Sequence, residues 1–169
     1  KNKNMSMKKI EGKSAKKNFS AFDIAKFFIW KSNKEKKPIT NKKLQKLLYY
    51  SQAWSMALKD KPLFNEKIEA WVHGPAIRDV YVAYKNFGFE PIIESVSEDD
   101  LIEIKNGTKK LLDEVWRVYG KYDGQYLEFL THNEKPWQEA RVGIEDLASS
   151  SNEITLDSMK IYYSNLIKK

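Results

Sequence analysis

Apolar positions recur with a helical period along most of this chain and with a two-residue period in one stretch. From Ser20 onward, Phe22, Ala25, Phe28 and Ile29 share a face, which predicts a helix over 20–33. Ser20 is its cap, and Asp23, three positions on, can return a bond to the cap nitrogen as a shorter-armed capping box. A polar run from Ser32 to Pro38 leads to the clearest pattern in the sequence. There Thr40 is the cap, and Leu44, Leu47, Leu48, Ser51, Trp54 and Leu58 form one continuous stripe flanked by Tyr49 and Tyr50. Lys61-Pro62 ends that helix. Residues 67–73 alternate, with Ile68, Ala70 and Val72 on one side and Glu69, Trp71 and His73 on the other, which predicts a short strand. Gly74-Pro75 breaks the strand. Pro75 has no N–H to leave unpaired, so it is expected at the first position of a third helix carrying Ile77, Val80, Tyr81 and Tyr84 to near Gly88.

Beyond Gly88 comes an acidic connection over 89–107 with a short helix capped by Ser97. Leu111, Leu112, Val115, Val118, Tyr119 and Tyr122 predict a helix from Thr108 to Tyr122. Tyr126, Leu127 and Leu130 predict a shorter one over Gly124 to Thr131, and Pro136-Trp137 starts a turn running to Arg141. A serine-rich connection over 143–153 precedes a last helix, capped by Thr155, in which Met159, Tyr162, Tyr163 and Leu166 align. No internal repeat is present. The expected fold is mainly α: a single compact helical domain of about six helices with a minor short-strand element.

Composition narrows the class. With 41% hydrophobic and 13% aromatic residues in 169, the chain is too apolar for a disordered protein and long enough to bury a sizeable core. It has no cysteine, which excludes disulfides, thiol nucleophiles and thiolate metal sites, and its two histidines leave little for a metal cage. The densest apolar run, Phe27 to Trp30, is too short to span a membrane, and no signal peptide is recognisable, so a cytoplasmic protein is expected. The net charge of +7 is uneven: residues 1–18 carry seven lysines against Glu11 alone, and are expected to form a basic, flexible tail before a domain over 19–169. Up to Lys46 there are 15 lysines against three acids, whereas between Lys85 and Lys105 lie six acids and no base. Such bipolarity suits a partner steered by charge. Only three arginines occur, which disfavours nucleic acid as the partner, because arginine's fork dominates base readout.

Catalytic templates are not met. Gly12-Lys13-Ser14 mimics the end of a phosphate loop, but Met7 stands where that loop needs glycine. Asp99, Glu103 and Lys105 only faintly resemble a metal-nuclease set. His73 and His132 are the sole candidate bases, each beside a turn it can order instead. No cofactor and no metal is expected. Of the five tryptophans, Trp71 and Trp137 sit beside proline turns and are the candidates for a partly exposed recognition surface.

Several spaced motifs then point to one family. The run from Ile39 to Gly88 resembles the signature block of the SocA-like antitoxin domain, also called Panacea and related to phage-associated GepA-like proteins. Leu44 to Tyr49 resemble its LQKLLY helix, followed by Gln52, Ala53 and Trp54, then Pro62, Leu63 and Phe64. Glu69, Ala70, Trp71, Gly74 and Pro75 resemble its EAW–GP element, with Val80 and Tyr81 after it. Leu130, Thr131, His132, Pro136, Trp137, Ala140 and Arg141 resemble LTH–PW–AR, and Ile154, Thr155, Ile161 and Tyr162 the closing helix. The likeness covers about residues 20–167, with Ala76 standing where valine is usual. It implies a non-enzymatic antitoxin that neutralises a toxin encoded beside it by protein–protein binding. One route known in the family instead hands the toxin to the ClpXP protease, and a nucleic-acid-binding regulator is the further alternative. An interface needs aromatic or arginine anchors. The expected partner-binding residues are therefore Trp71, His73, Gly74, Pro75, Arg78 and Tyr81 around the turn, with Trp137 and Arg141.

Overall fold

The computed structural model describes Met7 and residues 19–168. The expected flexible tail, and Gly12-Lys13-Ser14 within it, lies outside the described residues except for Met7, which is buried with the core. Among the described residues seven α-helices follow one another: α1 (Ala21–Glu35), α2 (Asn41–Lys59), α3 (Arg78–Tyr84), α4 (Asn106–Tyr119), α5 (Gly124–His132), α6 (Lys135–Ala140) and α7 (Leu156–Ile167). Between α2 and α3 lies a two-stranded antiparallel hairpin, β1 (Glu69–Trp71) and β2 (Gly74–Ala76). The mainly α expectation holds, and the turn expected after Pro136 is a helix in its own right.

Capping chemistry fixes the helix starts. Ser20 Oγ accepts from Asp23 N while Asp23 Oδ2 accepts from Ser20 N, so the capping box expected from sequence is formed. Thr40, Asp123 and Thr155 cap α2, α5 and α7 through their side-chain oxygens. The Ser97 box forms over a single tight turn, Glu98–Leu101.

Helix α2 is the axis of the molecule. It packs against α1, α3, α4, α5, α7 and β2, and from Asn41 to Met56 every residue except Lys42 is buried. The apolar stripe read from the sequence is therefore only part of its buried surface. Its polar side chains are buried too, and they hold loop backbone. Gln52 Oε1 accepts from Leu63 N at 2.7 Å while its Nε2 donates to Phe64 O at 2.8 Å. Gln45 Oε1 accepts from Ile77 N at 2.8 Å. Such bonds satisfy backbone groups that would otherwise be buried unpaired, which costs about 1–3 kcal/mol each.

One expectation is corrected. Pro75 does not open a helix: it lies in β2, opposite Ala70, and α3 starts three residues later at Arg78. Gly74 has φ +103, a left-handed conformation that reverses the chain so that 74–76 pair back onto 69–71. The following N–H, that of Ile77, is taken by Gln45, so the chain stays extended until Ile77.

Candidate partner-binding site

The hairpin is short, and neighbours on every side hold it. Ala70 N donates to Asn152 O and Ile154 N donates to Ile68 O, so the 152–154 segment flanks β1. Arg141 Nη1 donates to Ala70 O at 2.9 Å and Trp137 Nε1 donates to Trp71 O at 2.8 Å. From below, Lys46 Nζ donates to Pro75 O at 3.3 Å. A Cβ on residue 74 would lie 2.6 Å from Lys46 Cε and 3.1 Å from Thr131 Oγ1, so glycine is needed there for room as well as for φ.

Above this base the side chains of Trp71, Arg78 and Tyr81 meet. The Arg78 guanidinium lies 5.2 Å from the Trp71 ring, and Tyr81 meets the same ring edge-on at 5.1 Å. Glu69 Oε1 accepts from both Trp71 Nε1 and Arg78 Nη2, at 2.7 Å each, which fixes the orientation of both. A cleft of about 880 Å³ opens beside this cluster, with Trp71, Val72, His73 and Arg78 on the hairpin side and Leu147 and Ser149–Ser151 on the other. Arg141 holds the base of that second wall: its Nη2 donates to the carbonyls of Glu145, Asp146 and Ala148.

Beneath the turn, basic groups surround one carboxylate. Lys42 Nζ lies 2.6 Å from Glu128 Oε1, and His73 Nδ1 lies 3.2 Å from Glu128 Oε2. Burial raises the Glu128 pKa, but the bonds from Lys42 and His73 outweigh it and leave the carboxyl below its usual range. His132 Nε2 is 4.0 Å from Glu128 Oε2, and the ring stacks on Trp137 at 3.9 Å. Burial pulls the His132 pKa down and Glu128 opposes it. Burial brings the fully enclosed Lys46 down to about 7. This arrangement docks the hairpin turn onto α2 and α5.

The structure brings all eight expected residues to one locality around the turn, and it splits them by direction. Arg78 and Tyr81 are exposed, Trp71 is half-buried and His73 is open to solvent. Gly74, Pro75 and Trp137 form the base. Arg141, expected at the partner surface, is turned inward: it is 5% exposed and bonds four carbonyls. Among the described residues no three His, Asp or Glu side chains are grouped to hold a metal ion, and the acids of the faint nuclease set lie on the connection before α4. Sequence reading missed the far wall, where Leu147 is 87% exposed. An isolated leucine in a serine-rich connection was the available signal. It also missed Glu69 as the residue that orients Trp71 and Arg78.

Comparison with known proteins bears on this geometry. The family model described as antitoxin SocA-like, Panacea domain, matches residues 44–138. That stretch holds α2, the hairpin, α3 and Trp137, and it stops before the loop that forms the far wall of the cleft. Antitoxin SocA of Caulobacter vibrioides is 37% identical over 65 residues, covering 38% of this chain and 35% of that protein. The chain thus matches about a third of the length of that curated relative. No solved structure matches. No helix among the described residues is long and apolar enough to cross a membrane. The family-model match spans more than half of the sequence, and the chain belongs to the antitoxin SocA-like, Panacea domain family.

Proposed function

We propose that this chain is an antitoxin that neutralises a cognate toxin by direct protein–protein binding, with the hairpin and its cleft as the contact surface. Family membership supports the antitoxin role. The observation that carries the choice of surface is the Trp71–Arg78–Tyr81 cluster, held by Glu69 on the rim of the cleft. Tryptophan, tyrosine and arginine dominate binding energy at interfaces, and a rim fixed before binding loses little rotamer entropy on complex formation. Trp71, His73, Arg78 and Tyr81 act as contacts. Gly74, Pro75, Trp137 and Arg141 act by holding those contacts in place. A stable complex would extend beyond the cleft, since about 800 Å² per partner is usual. Neither a nucleophile nor a metal is required for this action.

The test is host growth on inducing the protein encoded beside this chain, alone and then with it. The reading expects arrest by the neighbour, restored growth with this chain, and a complex that co-purifies. A harmless neighbour, or one that arrests growth whether or not this chain is present, overturns it. Rescue that occurs only in protease-competent cells, with loss of the neighbour, overturns direct neutralisation in favour of delivery to a protease.

A further inference from the structure

Resting on that reading, we propose that the cleft beside the hairpin accepts an extended segment of the partner that carries apolar side chains next to carboxylates. At about 880 Å³ it lies within the range of about 300–1,000 Å³ typical of ligand sites. Apolar surface faces it from both walls. Trp71 is half-buried on one side, and on the other Leu147 is 87% exposed even though Arg141 anchors the loop carrying it. A leucine held out on an anchored loop, lining the same cleft as an indole, offers apolar surface to an apolar side chain entering it. Among the described lining residues the one fixed charge is positive, on Arg78, and none is a carboxylate. Of the acids bonded to lining residues, Glu128 faces His73, and Glu69 gives its Oε1 to Trp71 and to one Nη of Arg78, while the Arg78 side chain remains 55% exposed. Its remaining N–H groups suit a carboxylate through charge-assisted bonds. The hydroxyls of Ser149 and Ser151 add polar groups along the same wall. A cationic segment would meet like charge here. A nucleic-acid strand would need a succession of cations along its phosphates, where the lining offers one arginine and one histidine.

The experiment is fluorescence anisotropy on the full chain at about 150 mM salt, where loose charge attraction is screened. The probes are ten-residue peptides alternating leucine with glutamate, with glutamine or with lysine, and a ten-nucleotide thymidine strand. The expected result is that the glutamate peptide binds about tenfold more tightly than the glutamine one. Arg78→Ala should lose about tenfold and Leu147→Ser roughly threefold, with melting curves unchanged. Lys110→Ala removes the same charge from α4 and should change little. The proposal is overturned if the glutamate and glutamine peptides bind alike, if the lysine peptide or thymidine strand binds better, or if Arg78→Ala and Lys110→Ala lose the same amount. Pull-down of the neighbouring protein in parallel separates the two readings. Capture without peptide preference overturns the cleft inference alone. Peptide preference with neither capture nor growth rescue overturns the antitoxin reading alone.

Discussion

The interior around α2 and the rim of the hairpin cleft use polar residues in opposite ways. In the interior, Gln45, Gln52 and Arg141 are buried and bond backbone: Gln45 and Gln52 reach Ile77 and Leu63, and Arg141 reaches Ala70 as well as the carbonyls of the loop that follows it. Glu134, 1% exposed, accepts from the hydroxyls of Tyr50 and Tyr163 through one oxygen, tying α2 to α7. At the rim, Arg78 and Glu69 bond each other and Trp71, and the group faces solvent. Both regions contain residues of the family's signature. The buried polar residues clamp backbone, and the half-buried and exposed residues of the rim are those proposed above as contacts.

The contrast yields predictions of decreasing size. Arg141→Ala strands the carbonyls of Ala70, Glu145, Asp146 and Ala148, and should cost about 3 kcal/mol or more in urea unfolding. Arg141→Lys should recover only part of that, because an ammonium cannot reproduce the fork. If Arg141→Ala unfolded like the wild type, the inward clamp would be dispensable and the contrast would fail. Gly74→Ala places a Cβ against Lys46 at φ +103 and should cost about 1–3 kcal/mol, read from the same unfolding curves.

Two buried ionisable groups should shape the dependence of stability on pH. Burial pushes Glu134 up from 4.5 to about 7, so from pH 4.5 to 7 the folded protein keeps a proton that the unfolded chain releases. The stability this supplies is complete below pH 4.5 and is lost as pH rises through 7. Burial pulls Lys46 down from 10.5 to about 7, so between those values the unfolded chain keeps a proton that the folded protein has released. Its contribution is present above 10.5 and is lost as pH falls through 7. Lys43, brought down to about 8 chiefly by burial, acts in the same direction as Lys46. Together they predict a stability minimum near neutrality, with Glu134→Gln flattening the acidic limb and Lys46→Met reducing the alkaline one. A profile unchanged by either variant would contradict these assignments. At the rim, Arg78→Ala should shift stability by no more than about 0.5 kcal/mol, as for an exposed ion pair, while abolishing most partner binding.

Helix positions and caps were legible from sequence because apolar period and capping chemistry are local. Ser20, Thr40 and Thr155 announce their helices without reference to the rest of the fold. The burial of Lys43, Lys46 and Gln52 was not legible, because it depends on loops far along the chain meeting α2 from every side. Pro75 misled for the same reason. A proline after glycine reads as a helix start, yet the long-range bond from Ile77 to Gln45 and the pairing with β1 keep it in a strand. Within the candidate site, Trp71 was identifiable from residue type and from the family likeness, and Arg78 from residue type and its place beside the turn. Leu147 and Ser149–Ser151 were not, because they join the cleft only after Arg141 folds their loop back toward the hairpin.

The most direct measurement is the affinity of the neighbouring protein for three forms of this chain: wild type, Arg78→Ala with Leu147→Ser, and Arg141→Lys, each with its melting curve. The rim variant should melt like the wild type yet lose binding by about a hundredfold, whereas Arg141→Lys should melt lower and lose less binding than the rim variant, since it loosens the Leu147 loop without removing a contact. A rim variant that binds as tightly as the wild type would contradict the assignment of this face to the toxin.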